Sequence, residues 1–254
     1  MSDIRAEIRE IISRIEKAEN VRVLFAAESG SRSWGVESPD SDYDVRFVYV
    51  RPLREYMRLE DRSDVIEWQL DEIYDVNGWD LDKTLKQFHK GNATLFEWAN
   101  SSVIYKTTEQ WDNIYCSATK YFSEKAALNH YCGTAKSTFH KYLQGENVRY
   151  KKYIYALRPL LACEYIRNNH KIPPVHFDKL MEQEIDPLVR SAVADMLNIK
   201  ANSNEGDLNP HIPVISDYIR TMIAFYDEVI SNMSDDRNPD WDTLNRVFAE
   251  NVLS

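Results

Sequence analysis

Two β-forming runs, divided by a short polar stretch, set the strictest limit on what this chain can fold into. "VRVLFAA", from Val21 to Ala27, reads as one strand, and "YDVRFVYV", from Tyr43 to Val50, reads as a second. From Asp42 onward the second run alternates: Tyr43, Val45, Phe47 and Tyr49 share one face, which leaves Asp42, Asp44 and Arg46 on the other. Between the runs, "ESGSRSWG" breaks the β pattern, and "SPDSD" crowds Asp40, Asp42 and Asp44 into one turn.

The surrounding sequence extends this core. Ile4, Ile8, Ile11, Ile12 and Ile15 recur at helical spacing behind Ser2 and Asp3, which can cap a first turn, so an amphipathic helix opens the chain. A further strand pair is expected over "DVIEWQL" and "EIYDVNGW", then a helix marked by Leu81, Leu85 and Phe88 that Gly91 can end. From about Thr108 the spacing becomes helical, as in "EKAALNHYCGTAKSTFHKYL", "VRYKKYIYALRPLLACEYIRNN" and "PVISDYIRTMIAFYDEVISNM". The expected class is α+β: a small mixed-sheet domain over 1–107, then an all-helical domain over 108–254. The likeliest loop by composition is Asn202 to Asn209.

Composition removes several function classes. A net charge of −10 opposes wrapping of nucleic acid by overall charge, although a local basic patch is compatible with it. The first twenty residues alternate charge with isoleucine, unlike a signal peptide, no window is apolar enough to cross a membrane, and the cysteine usage fits a reducing cytoplasm, where the protein is expected. Cys116, Cys132 and Cys163 are odd in number and widely spaced, which suggests buried thiols and neither a disulfide framework nor a zinc site. Only Gly30 and Gly35 lie close together, and Val36 and Glu37 follow them, which excludes a Walker loop and a dinucleotide fingerprint.

Three readings compete for the acidic turn. Ser, Pro and Asp before a strand are ordinary turn formers. A calcium loop starting at Asp40 needs Gly at its sixth place and Glu at its twelfth, where the chain has Val45 and Arg51. The third reading uses more residues: Asp42 and Asp44 point to one side of a strand and can share divalent cations, while the Gly-Ser turn supplies backbone N–H groups and a hydroxyl for phosphates. The ten residues 32–41 suffice for a helical turn and a return to the adjacent strand.

"GSRSWG" followed by "SPDSDYDVRFVYV" resembles the signature of the DNA polymerase β-like nucleotidyltransferase superfamily. With "YDVNGWDLDKTLKQFHKGNATLFEWANSSVIYK" and "KKYIYALRPLLACEYI" added, the chain is similar to the predicted nucleotidyltransferases associated with phage-type RNA ligases, over a span reaching about Asn169. The resemblance implies transfer of a nucleoside monophosphate from an NTP, such as ATP, to an acceptor hydroxyl with release of pyrophosphate. Two Mg2+ ions, or Mn2+ in their place, would be held by Asp42, Asp44 and a third carboxylate. For the third, Asp75 is chosen over Glu67, Asp71 and Asp80, because it lies in a strand-like stretch before the next helix begins.

The resemblance also implies that Ser31 binds a distal phosphate, Gly30 lets the backbone approach, and Arg32 and Ser33 assist. Arg46, on the aspartates' strand face, is expected to position them through a salt bridge. Lys151, Tyr155 and Arg158 fall at intervals of four and three, hence on one helical face. With Lys136 they are candidates for nucleotide contact, against a reading as packed aromatics with solvated basic ends. An RNA end is the first choice of acceptor. The alternatives are a small molecule or protein side chain, and a non-catalytic nucleotide- or RNA-binding partner.

Overall fold

The computed structural model describes residues 4–71, 73–201 and 206–253. Ser2 and Asp3, expected to cap the first helix, lie outside them, as do four residues of the expected loop after Ala201. The chain divides into two compact units. One comprises residues up to Ser33, Asp42–Phe122 and Arg237 onward; the other comprises Trp34–Ser41 and Ser123–Asp236.

The first unit is built on a five-stranded mixed sheet in the order β3-β4-β2-β1-β5. Its elements run α1 (Ile4–Glu19), β1 (Arg22–Glu28), α2 (Gly30–Trp34, whose last residue belongs to the second unit) and β2 (Tyr43–Val50). They continue with α3 (Leu53–Tyr56), β3 (Val65–Leu70), β4 (Tyr74–Asp80), α4 (Leu81–His89), α5 (Ala93–Ala99), β5 (Ile104–Lys106) and α6 (Glu109–Ala118). The last helix of the chain, α12 (Asp242–Val252), also belongs here and packs on α4 and α6.

The β-branched and aromatic residues of the two runs explain the sheet's centre. β1 and β2 pair antiparallel, whereas β2 and β4 pair parallel, with β3 and β4 filling the hairpin expected of "DVIEWQL" and "EIYDVNGW". The isoleucine stripe of α1 (Ile8, Ile11, Ile12, Ile15) is fully buried in a cluster with Val23, Val45, Phe47 and Val76. Each such side chain contributes roughly 1.5–3 kcal/mol by leaving water. Helices α4, α5 and α6 contact the sheet as well, with Phe25 stacked on Trp111 at 4.6 Å. The layering therefore runs helix, sheet, helices. Gly78 on β4 faces Phe47 in the ladder, and its missing side chain is the space the Phe47 ring occupies.

The second unit is helical apart from a two-residue ladder. It contains α7 (Glu124–Tyr142), α8 (Tyr150–Asn169), α9 (Phe177–Met181), α10 (Pro187–Ala201) and α11 (Pro213–Asn232). The ladder joins β6 (Asn147–Val148) to β7 (Asn209–Pro210). Helix α8 packs along α7, and α11 lies against both. Ser123 caps α7 by accepting from the Ala126 N–H at 3.0 Å. Cys132 and Cys163 are buried as expected, but Cys116, on the outer side of α6, is exposed. No described helix is long and apolar enough to cross a membrane.

Candidate active site

The register of β2 against β4 decides which acidic residues meet. Asp44 is paired directly with Asp75 in the parallel ladder, so the two carboxylates leave neighbouring strands at the same level. The Arg46 guanidinium joins them, its Nη2 lying 3.1 Å from Asp44 Oδ1 and 2.6 Å from Asp75 Oδ2. This is the positioning salt bridge expected of Arg46, extended to a second carboxylate. The other candidates for the third acid lie elsewhere. Glu67 is opposite Asn77 on β3, and Asp71 accepts from the N–H groups of Ile73 and Tyr74 in the hairpin turn. Asp80 is fully buried at the far end of β4, where it caps α4 and meets Arg51, Arg62 and Tyr56.

Asp42 precedes β2 and is exposed. Its backbone carbonyl accepts from Arg32 Nε at 2.9 Å, and the Arg32 guanidinium lies 3.9 Å over the Tyr43 ring. Arg32 thus ties the turn to the start of the strand. Gly30 opens α2 in the left-handed region at φ +61°, and a Cβ there would overlap Asp44 Oδ2. The glycine therefore does two things at once: it permits the turn and lets the backbone pass against the carboxylate. Ser31 and Ser33 are buried in the same turn, and Ser33 Oγ shares a 2.9 Å hydrogen bond with Ser101 Oγ.

Sequence reasoning missed Glu28. This residue ends β1 and is 1 % exposed. Its Oε1 accepts from the Asp44 N–H at 2.8 Å, and its Oε2 accepts from the Tyr105 hydroxyl. The available signal was a single acid closing an otherwise apolar run just ahead of the Gly-Ser turn. Burial pushes its carboxyl up to about 7, against the lowering effect of its two donors. Asp44 is pushed up to about 6, first by burial, which Arg46 opposes, and then by the charges of Asp42 and Asp75.

Among the described residues, no group of three or more His, Cys, Asp or Glu stands assembled as a metal centre. The donor chemistry nonetheless fits a hard divalent cation. Asp44 and Asp75 offer hard carboxylate oxygens from directly paired positions on neighbouring strands, the donor type a divalent cation of this kind takes.

The four basic and aromatic candidates of the helical unit do not act alike. Lys136 on α7 is exposed and paired with Asp227 at 2.5 Å. Lys151, Tyr155 and Arg158 all lie on α8 as the spacing required. Lys151 and Tyr155 are partly buried, and the Tyr155 ring meets Trp34 edge-on at 5.3 Å. Arg158 departs from the solvated reading: it is 2 % exposed, stacked 4.5 Å from the Trp34 ring, and donates from Nε to the Val175 carbonyl at 3.0 Å.

Comparison with known proteins follows the same lines. The family model of RlaP, described as an RNA repair pathway DNA polymerase beta family, matches residues 4–250, well past the Asn169 at which the motif likeness ends. The chain is also 37 % identical over 254 residues to the protein called "Uncharacterized protein YcgL" of Bacillus subtilis (strain 168), covering 98 % of this chain and 96 % of that protein. With a mixed sheet that carries Asp44 and Asp75 beside a Gly-Ser turn and a match over nearly its whole length, the chain belongs to the RNA repair pathway DNA polymerase beta family.

Proposed function

We propose that the protein is a magnesium-dependent nucleotidyltransferase that moves a nucleoside monophosphate from an NTP to an acceptor hydroxyl, releasing pyrophosphate, with an RNA end as acceptor. The observation that carries this reading is the direct pairing of Asp44 with Asp75 next to the Gly30 turn. Asp42, Asp44 and Asp75 would hold the metal, which when bound supplies charge neutralisation on the reacting phosphate. Arg46 keeps Asp44 and Asp75 together against their mutual repulsion. Glu28 holds the Asp44 main chain by accepting its N–H. Ser31 and the N–H groups of the Gly30 turn are suited to the distal phosphates, and the RNA-repair description of the family favours RNA over a small molecule as acceptor.

The test is incubation with each α-labelled NTP, Mg2+ and RNA, comparing the parent with Asp42→Asn and Asp44→Asn. Label is expected to enter RNA with the parent. Each variant should lose at least about a thousandfold in rate while its melting curve stays cooperative. Near-normal turnover by either variant would overturn the metal assignment, and nucleotide binding without pyrophosphate release would favour a non-catalytic partner.

A further inference from the structure

The sheet unit has a cavity of about 300 Å³ lined from α3, Arg62 of the following loop, α4, α12 and the residue preceding α12. It lies by the end of β4 away from the paired carboxylates. Asp80 lies five residue steps along β4 from Asp75, about 16 Å at the rise of a β-strand.

The cavity's lining combines three aromatic rings, Tyr56, Trp241 and Phe248, with the charged Arg62, Asp82 and Lys86. Trp241 lies flat on His89, with ring centroids 3.6 Å apart and planes 15° from parallel, yet remains 44 % exposed. Tyr56 meets Phe248 edge-on at 5.2 Å, and Arg62 covers the Tyr56 ring at 4.4 Å while paired to Asp80 and Asp82. Lys86 stands at the rim, 61 % exposed, with a 3.4 Å contact to Asp82. Packing of α12 is already supplied by Leu244 and Val247, both buried. The Trp241 indole, stacked on an imidazole, keeps 44 % of its surface open to solvent, a share that its packing on His89 does not use. It is a stiff stacking surface with an ammonium group in the same cavity, the combination that takes a base by its π face and a phosphate by its charge. Because the chain carries a net charge of −10, diffuse attraction cannot replace such local contacts.

We infer that this cavity binds a nucleobase carrying a phosphate, as a free mononucleotide or as the terminal nucleotide of an RNA strand, with the base on Trp241 and the phosphate at Lys86. This site is separate from the Asp44–Asp75 pair and does not depend on the transferase reading.

Calorimetry in EDTA, which withdraws metal-linked binding at the carboxylates, tests it with AMP, adenosine, ribose 5-phosphate and a short oligoadenylate. AMP is expected to bind, and ribose 5-phosphate to bind at least about tenfold more weakly for want of a base. Trp241→Leu should weaken AMP by about tenfold and Trp241→Phe by less. Lys86→Ala should remove the advantage of AMP over adenosine, and Asp44→Asn should leave AMP binding unchanged. Preference for the oligoadenylate assigns the site to a strand end, and preference for AMP assigns it to the free nucleotide. The inference is overturned if AMP fails to bind, if it binds no better than ribose 5-phosphate, if a folded Trp241→Leu variant binds it as the parent does, or if Asp44→Asn abolishes binding. Should Trp241→Leu not fold, the exposed Lys86→Ala decides: equal AMP affinity in that variant and the parent overturns the inference.

Discussion

At the scale of single residues, the place of Asp44 on β2 was legible because strands announce themselves by alternation, whereas Asp42, expected on the same strand face, lies just ahead of the strand. Glu28 was not legible, since its importance lies in two hydrogen bonds, one of them to a tyrosine 77 positions away. Its chemistry yields a prediction with a definite sign. Burial raises the Glu28 carboxyl from 4.5 to about 7, so the folded chain binds this proton more tightly than the unfolded chain does. The associated stability is present below about 4.5 and is lost as pH rises towards 7. In EDTA, the parent should lose stability between pH 5 and 8, with Asp44 adding in the same direction over its own lower range. Glu28→Gln, which can still accept from the Asp44 N–H, should flatten that decline by an amount on the order of 3 kcal/mol. Urea melts across the pH series would show it, and an equally steep decline in the variant would contradict the assignment.

Among the elements, the long patterned segments were readable and the short ones were not. The stripe of α1, the four longer strands and α4 follow from periodicity alone. Helix α2, five residues with no apolar repeat, could be expected only as a helical turn that the length of the connection allows, and β5 is three residues long, too brief for alternation to register. The choice of Asp75 over its three rivals rested on a strand-like neighbourhood, while the structural reason it stands beside Asp44 is the parallel register, which no local pattern encodes. That register depends on Gly78 admitting the Phe47 ring. Gly78→Ala places a Cβ where the ring lies, so either the ring or β4 must shift. The expected cost is about 1–3 kcal/mol by chemical denaturation. Because Asp75 is three residues away on the same strand, the proposed transfer activity should fall as well. Unchanged stability would mean that Phe47 has another place to go.

For the whole molecule, the mixed sheet followed by helices was foreseeable from the change of spacing near Thr108, whereas contacts made across the chain were not. Helix α12 packs on α4 and α6 from more than a hundred residues away, and Arg158 is sealed under Trp34, a residue from the other end of the sequence. Basic residues at helical spacing look solvated in sequence, yet burial makes Arg158 part of the helical unit's interior. Arg158→Gln is accordingly expected to lower stability by about 2 kcal/mol or more through a lost buried hydrogen bond and stack. Lys151→Gln, at a partly buried position on the same helix, should lower stability less than Arg158→Gln does. Thermal melts of the two single variants separate these cases, and equal melting temperatures would contradict the burial argument. The parallel ladder of β2 and β4 carries one further implication, for descent with modification. A one-residue slip in either strand sends its acid to the opposite face of the sheet. Lineages of this chain can therefore vary in length where α3 leads into β3, but not between the acids and the ends of the strands that bear them, so the spacing there should be inherited more strictly than the residues that fill it.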